Sequence, residues 1–226
     1  MEIEVLPDAD AVARRAAAFI ADATRAAVNE RSRFTFAASG GRTPWVMLRA
    51  LADEDVPWEA VELLQVDERV APAGHPDRNL THLRESLGRA PFKPAQIHAM
   101  PVEAQDLDAA AEEYAGTLER LTAPTGRLDL VHLGLGPDGH TASLVPGAPE
   151  LDIGDAAVAV TGVYQGRRRM TLTFPVLDKA RRILWVVTGA DKREMLRRLR
   201  EGDSAIPAGR VAPDAAMVMA DRAAAG

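Results

Sequence analysis

The chain is 226 residues long, with 27 lysines and arginines against 33 aspartates and glutamates, a formal charge of −6 and no cysteine. That balance excludes a broad electrostatic attraction to nucleic acid or an anionic membrane, so an anionic ligand has to meet a local basic pocket. The absence of cysteine excludes disulfides, thiolate metal sites and cysteine nucleophiles together, and a 4% aromatic content leaves the core to Ala, Val, Leu and Ile.

Nothing in the sequence marks a linker, an internal repeat or a low-complexity tract, and residues 1–226 read as a single domain. Met1-Glu2-Ile3-Glu4 is acidic and lacks the basic and apolar regions of a secretory signal. No stretch approaches the roughly 20 apolar residues of a membrane helix. The expected location is the cytoplasm.

From Asp8 onward, Val12, Ala16, Phe19, Ile20, Ala23 and Ala27 keep one apolar face at helical spacing, with Asp8 or Asp10 as the cap. Phe34-Thr35-Phe36-Ala37-Ala38 reads as a buried strand. Ser39-Gly40-Gly41-Arg42 breaks it before a helix over Trp45 to Leu51, for which Thr43 suits the cap and Pro44 the first turn. Val61 to Val66 is a second strand, ending at Asp67-Glu68-Arg69. A polar loop with Pro72, Gly74 and Pro76 leads to a helix near Asn79 to Leu87, and Gln105 to Leu121 is a long amphipathic helix. Leu128 to Leu133 is a third strand. Later strands are expected at Ala157 to Val160, Met170 to Thr173, Ile183 to Val187 and Ala216 to Met219, with a helix over Asp191 to Arg200 and a frayed end at Ala223 to Gly226.

Strands alternating with helices predict an α/β fold, a mostly parallel Rossmann-like sheet with helices on both faces. Ligands of such sheets bind at the carboxyl ends of the strands. Ser39 to Thr43, Asp67 to Arg69 and Gly134 to His140 each follow a strand directly, and are expected to converge on one crevice.

Two readings stay open for most of these segments. Ser39-Gly40-Gly41-Arg42-Thr43 either presents backbone N–H groups to an anion or is a tight strand-to-helix turn; it is not a P-loop. Gly134-Leu135-Gly136-Pro137-Asp138-Gly139 fits the G-x-G-x-x-G pattern of dinucleotide sites, but Pro137, Pro146 and Pro149 leave no room for the long helix that motif must open. A rigid loop holding Asp138 and His140 is the better reading, with His140 either a general base beside an acidic partner or a loop histidine bonded to a carbonyl. His75, His82, His98 and His132 fit no metal-binding spacing, His132 reads as a sheet residue, and no required metal is expected. Lys192 near a helix start, and Arg167-Arg168-Arg169 before a strand, are either anion ligands or solvated charges.

Ser39-Gly40-Gly41-x-Thr43-Pro44, Asp67-Glu68-Arg69 and Gly134-x-Gly136-x-Asp138-Gly139-His140-Thr141-Ala142-Ser143-Leu144-x-Pro146-Gly147 together resemble the glucosamine-6-phosphate isomerase/6-phosphogluconolactonase family. The resemblance continues through Arg169-Met170-Thr171-Leu172-Thr173 and Val187-Thr188-Gly189 with Lys192 to Arg210-Val211 and Asp221. His140-Thr141-Ala142-Ser143-Leu144 is similar to the lactonase branch, where deaminases continue differently after Asp-Gly-His. Departures from the family pattern fall at Arg78, Val145, Asp178 and Gly209.

The resemblance implies a carboxylic ester hydrolase acting on 6-phospho-D-glucono-1,5-lactone in the oxidative pentose phosphate pathway, without a cofactor. It implies His140 as the base, Asp138 as its orienter, Arg169 and Lys192 as phosphate ligands with Arg69 and Thr43 as further candidates, and Ser39 and Asp67 on sugar hydroxyls beside Gly40 and Gly41. Ser143 is not needed as a nucleophile. The implied partner is the small phosphorylated lactone, with no nucleic acid or membrane. A monomer working in functional proximity to glucose-6-phosphate dehydrogenase is compatible with it. A glucosamine-6-phosphate deaminase, a non-catalytic sugar-phosphate sensor and an NAD-dependent dehydrogenase are the competing readings.

Overall fold

A computed structural model describes residues 1–226, except for the side chain of Pro94. Seven strands, β1 (Glu2–Leu6), β2 (Phe34–Ala38), β3 (Val61–Gln65), β5 (Ile97–His98), β6 (Leu130–Leu133), β9 (Ile183–Val187) and β10 (Ala216–Asp221), form one sheet in the order β1-β10-β9-β6-β2-β3-β5. Every pairing in it is parallel. A second sheet of three antiparallel strands, β4 (Asp67–Arg69), β7 (Val158–Val160) and β8 (Arg169–Leu172), runs in the order β4-β8-β7.

The strands of the large sheet are buried on both faces, and their alternation divides the core in two. Phe36, Leu63, Leu130, Leu184 and Met219 pack with helices α1 (Ala9–Arg31), α2 (Arg42–Leu51) and α3 (Asn79–Ser86). Their sequence neighbours Ala37, Leu64, Val131, Trp185 and Val218 point the other way, to α4 (Leu107–Thr122), the short α5 (Phe174–Leu177), α6 (Arg193–Arg200) and α7 (Arg222–Ala225). Each such Leu or Val contributes about 1.5–3 kcal/mol by burial. With few aromatics available, α1 buries an alanine face, Ala13, Ala16, Ala17, Ala21 and Ala27, which lets it lie close to α2 and the sheet.

The Asp8 side chain caps α1 by accepting from Ala11 N at 2.8 Å. The structure departs from the sequence reading at several places. Alternating Glu2-Ile3-Glu4-Val5 is an edge strand, paired to β10. Asp67-Glu68-Arg69 is not the loop end of β3 but a strand of the small sheet. Lys192 closes a 3-10 turn, Ala190–Lys192, and α6 begins one residue later. The alanine-rich terminus is not frayed: Asp221 accepts from Ala224 N at 2.8 Å and Ala224 is buried, so the last turn is capped and packed.

One buried carboxylate ties the small sheet to α3. Glu68 is fully buried and accepts four hydrogen bonds, from Arg69 N (2.7 Å), Asn79 N (2.7 Å), Leu80 N (2.8 Å) and Gln65 Nε2 (2.8 Å), with the Arg78 guanidinium 3.1 Å away. Two of those donors are N–H groups of the first turn of α3, which has no other side-chain cap. Removing the charge leaves the buried Arg78 with the exposed Glu103 as its remaining carboxylate partner. Glu68→Gln is expected to cost about 3 kcal/mol of unfolding free energy in urea titration, and far more than a surface Glu→Gln control.

Candidate active site

The chain adds strands on one side of β2 through β3 and β5, then crosses through α4 to β6 on the other side. The connections leaving β2 and β6 therefore diverge, and a crevice opens at their carboxyl ends. A cavity of about 220 Å³ lies there, walled by Ser39, Gly40, Gly41, Asp67, Arg69, Asn79, Gly134 to Pro137, His140, Ala142, Arg169 and Lys192. The three segments expected to converge do so. Of the predicted binding residues only Thr43 stays off the wall; its hydroxyl lies 2.7 Å from Thr188 Oγ1, linking α2 to the end of β9. That bond also explains why Thr43 does not cap α2. The cap is Gly41, whose φ of +139° is open only to glycine, and it has no side-chain cap bond.

His140 is held from two directions. Its backbone carbonyl accepts from Gly136 N at 2.8 Å, its N–H donates to Asp138 Oδ1 at 3.2 Å, and its ring Nδ1 donates to the same oxygen at 2.5 Å. With Nδ1 carrying the proton, the lone pair of the neutral ring is on Nε2. Partial burial opposes ionisation of Asp138, but the charge and hydrogen bonds of His140, joined by the Tyr164 hydroxyl, outweigh it and hold the carboxyl below its ordinary pKa. A Cβ on Gly136 would stand 2.0 Å from the imidazole, so only glycine lets the loop fold this tightly over the ring.

Arg69 and Arg169 are register partners across the β4–β8 pair, and both reach the cavity. Like charges directly opposite on neighbouring strands repel. Burial lowers the Arg169 pKa, against the attraction of the Asp67 charge and with a smaller push from the Arg69 charge. Each guanidinium retains a buried Nε with no hydrogen-bond partner among the described residues. Of the arginine run, Arg168 is exposed, Arg167 turns to Asp77 (2.9 Å), and Arg169 is buried against the pocket. Lys192 also lines the cavity, with Asp191 Oδ2 3.4 Å from its Nζ.

Polar groups suited to hydroxyls complete the lining. Ser39 Oγ and Asn79 Oδ1 are buried without a partner among the described residues. Asp67 accepts from Asn79 Nδ2 at 3.2 Å and from Ser143 Oγ at 2.7 Å, and Ser143 in turn stands 3.4 Å from Arg169 Nη1. Ser143 is thus a bridge between charges. Asn79 and Tyr164 escaped sequence reasoning, since neither belongs to a glycine-rich segment at a strand end. Arg78, Val145, Asp178 and Gly209, the departures from the family pattern, all lie off the cavity wall. A Cβ on Gly209 would meet the Asp203 carbonyl at 2.2 Å, a packing reason for glycine there.

His132 is a buried strand residue behind the site, its Nδ1 accepting from Ser39 N at 3.3 Å. A larger cavity of about 690 Å³ on the far side of Arg78 shares none of the three convergent segments. Gly134 to Gly139 leads into tight turns, without the helix that a dinucleotide motif opens. Among the described residues no group of three or more His, Asp or Glu side chains is arranged to hold a metal, and no helix is long and apolar enough to cross a membrane.

A sheet of this winding, with an Asp-bound imidazole and opposed arginines at its switch point, belongs to a class of sugar-phosphate proteins: the chain is a member of the glucosamine-6-phosphate isomerase/6-phosphogluconolactonase family, whose sequence model matches residues 7–220. Relatives of the chain include 6-phosphogluconolactonases. The chain is 36% identical over 200 residues to the 6-phosphogluconolactonase of Synechocystis sp., covering 86% of this chain and 83% of the relative, and 36% identical to that of Rattus norvegicus, covering 81% and 75%. The crystal structure of the Thermotoga maritima 6-phosphogluconolactonase superposes with a TM-score of 0.87 at 26% identity, over 97% of this chain and 98% of that one. A monomeric glucosamine-6-phosphate deaminase reaches a TM-score of 0.86 at 21% identity, covering 100% and 99%, so the fold itself is shared by both branches.

Two measurements probe this geometry. Gly136→Ala should displace the imidazole and lower activity at least tenfold while unfolding stability changes by about 1–3 kcal/mol. Burial pushes the His132 pKa from 6.5 down to about 3. The unfolded chain therefore takes up a proton that the folded one refuses, and this contribution is complete above pH 6.5 and lost as pH falls toward 3. Between those values it should add about 1.4 kcal/mol per pH unit to the slope of stability, and His132→Gln should remove that increment in pH-dependent denaturation.

Proposed function

We propose that the chain hydrolyses 6-phospho-D-glucono-1,5-lactone to 6-phosphogluconate, as a step of the oxidative pentose phosphate pathway, with His140 as general base. The observation that carries this reading is that one small cavity holds both an imidazole oriented by a carboxylate and a like-charged arginine pair that an anion would relieve. Its volume suits a monosaccharide and is too small for a dinucleotide.

Water attacks the lactone carbonyl carbon as Nε2 of His140 takes its proton, giving a tetrahedral alkoxide. Collapse breaks the bond from that carbon to the ring oxygen, and the imidazolium returns the proton to the departing oxygen, leaving the open-chain acid. Asp138 keeps the ring in the tautomer that begins this cycle and stabilises the cation within it. No covalent intermediate is required, because the ester is already labile and positioning adds to the 10²–10⁴-fold expected of the base. Arg69, Arg169 and Lys192 take the phosphate, while Ser39, Asp67 and Asn79 take sugar hydroxyls. Gly40 and Gly41, at the uncapped start of α2, offer backbone N–H groups to negative charge.

The family fold carries deaminases as well, and the His140-Thr141-Ala142-Ser143-Leu144 segment together with the lactonase relatives favours hydrolysis. Functional proximity to glucose-6-phosphate dehydrogenase is part of the proposal: a GDH/6PGL endoplasmic bifunctional protein of Homo sapiens is 37% identical over 180 residues, 75% of this chain and 22% of that protein.

Freshly generated lactone, corrected for spontaneous opening, tests the reaction. His140→Ala should lower kcat by about 10²–10⁴-fold with 6-phosphogluconate still bound; ammonia release from glucosamine 6-phosphate with no lactone turnover would replace this reading by the deaminase. Arg169→Ala should weaken 6-phosphogluconate binding about 10- to 100-fold in calorimetry and leave the weak binding of gluconate unchanged.

A further inference from the structure

Beyond β7 and β8 the chain continues as a narrow hairpin. Thr161 N donates to Arg169 O at 2.8 Å, and Tyr164 and Arg167 exchange backbone hydrogen bonds of 2.9 and 3.3 Å. The two residues between them, Gln165 (φ +51°) and Gly166 (φ +79°), both have positive φ, as the tightest two-residue hairpin turn requires. That turn fixes Tyr164 at the tip, directly over the catalytic loop. The Tyr164 ring meets His140 edge-on, with centroids 5.4 Å apart at 70°, and the Arg169 guanidinium lies 4.9 Å from its other side. Its hydroxyl donates to Asp138 Oδ2 at 2.9 Å and stands 3.3 Å from His140 Nδ1.

Asp138 therefore has both oxygens engaged by different partners, Oδ1 by the imidazole and Oδ2 by the phenol. A carboxylate held through one oxygen can rotate, and a rotating acceptor lets the histidine proton exchange between its two nitrogens. We propose that Tyr164 is a positioning residue of this enzyme: through Asp138 it locks His140 in the Nδ1–H tautomer, so that Nε2 is the base. The proposal rests on the hydrolase reading of the same site. Gln165 extends the device, because its Oε1 accepts from Arg169 Nη2 at 3.2 Å and joins the hairpin tip to the phosphate side of the cavity.

The charged and titratable groups around the Asp138–His140 pair come from four elements. They are Tyr164 on the hairpin, Arg169 on β8, Asp67 and Arg69 on β4, and Lys192 after β9. Burial and then the hydrogen bond to Asp138 raise the Tyr164 pKa, so the phenol remains a donor across the working range.

Tyr164→Phe keeps the ring and its contacts with His140 and Arg169 and removes only the hydroxyl. Expected are a kcat for the lactone lowered about tenfold and an unchanged affinity for 6-phosphogluconate. Nitrogen-15 NMR of the labelled full chain reads the tautomer without substrate: pure Nδ1–H in the wild type, and a mixture in the variant. A Tyr164→Phe protein with wild-type kcat and tautomer overturns the proposal. A wild type without lactone turnover would overturn the hydrolase reading instead, and the tautomer measurement would still decide the role of Tyr164.

Discussion

Between β2 and β6 the chain reverses the direction in which it builds its sheet, and that reversal is the constraint from which the site follows. Parallel strands need long crossovers, and crossovers on both faces leave two strand ends whose connections part company. The backbone at that point has no neighbour to close over it. Here the gap is bordered by Ser39-Gly40-Gly41 and by Gly134 to His140, both kept close to the sheet by glycines. The crevice is thus a property of the winding order, and the chemistry is what the sequence places on its rim.

The small antiparallel sheet supplies what the large one cannot. A parallel strand end delivers backbone and a loop, whereas an antiparallel pair sets side chains face to face at fixed spacing. The β4–β8 register brings Arg69 and Arg169 together, and the buried Glu68 anchors β4 to α3, which in turn places Asn79 on the wall. The arginine pair stands on this sheet and the Asp138–His140 pair on the loop after β6. Ser143, from the chain that follows that loop, bridges Asp67 and Arg169.

Most of the fold and the outline of the site were legible in the sequence, for identifiable reasons. Long periodic segments such as α1, and apolar runs such as β2, β6 and β9, announce themselves by spacing, and the polar segments that follow them locate the crevice. Short elements lie below that threshold: β5 has two residues and β4 three, and both exist through their partners. The acidic residues of β1 mask an alternating edge strand. Thr43 looked like a cap by residue type, yet a tertiary bond to Thr188 outweighed the local preference. Tyr164 was invisible because its approach to His140 depends on a hairpin turn 24 residues further along the chain.

Several polar atoms of the cavity, Ser39 Oγ, Asn79 Oδ1 and the Nε atoms of Arg69 and Arg169, are buried and unpaired among the described residues. If they meet sugar and phosphate as proposed, selectivity is a matter of penalty as much as attraction. A deoxy sugar, or one lacking the phosphate, would dry out these groups without satisfying them, and a buried polar group left so costs about 1–3 kcal/mol. Discrimination among chemically similar lactones is in this sense stored in the protein before any of them arrives.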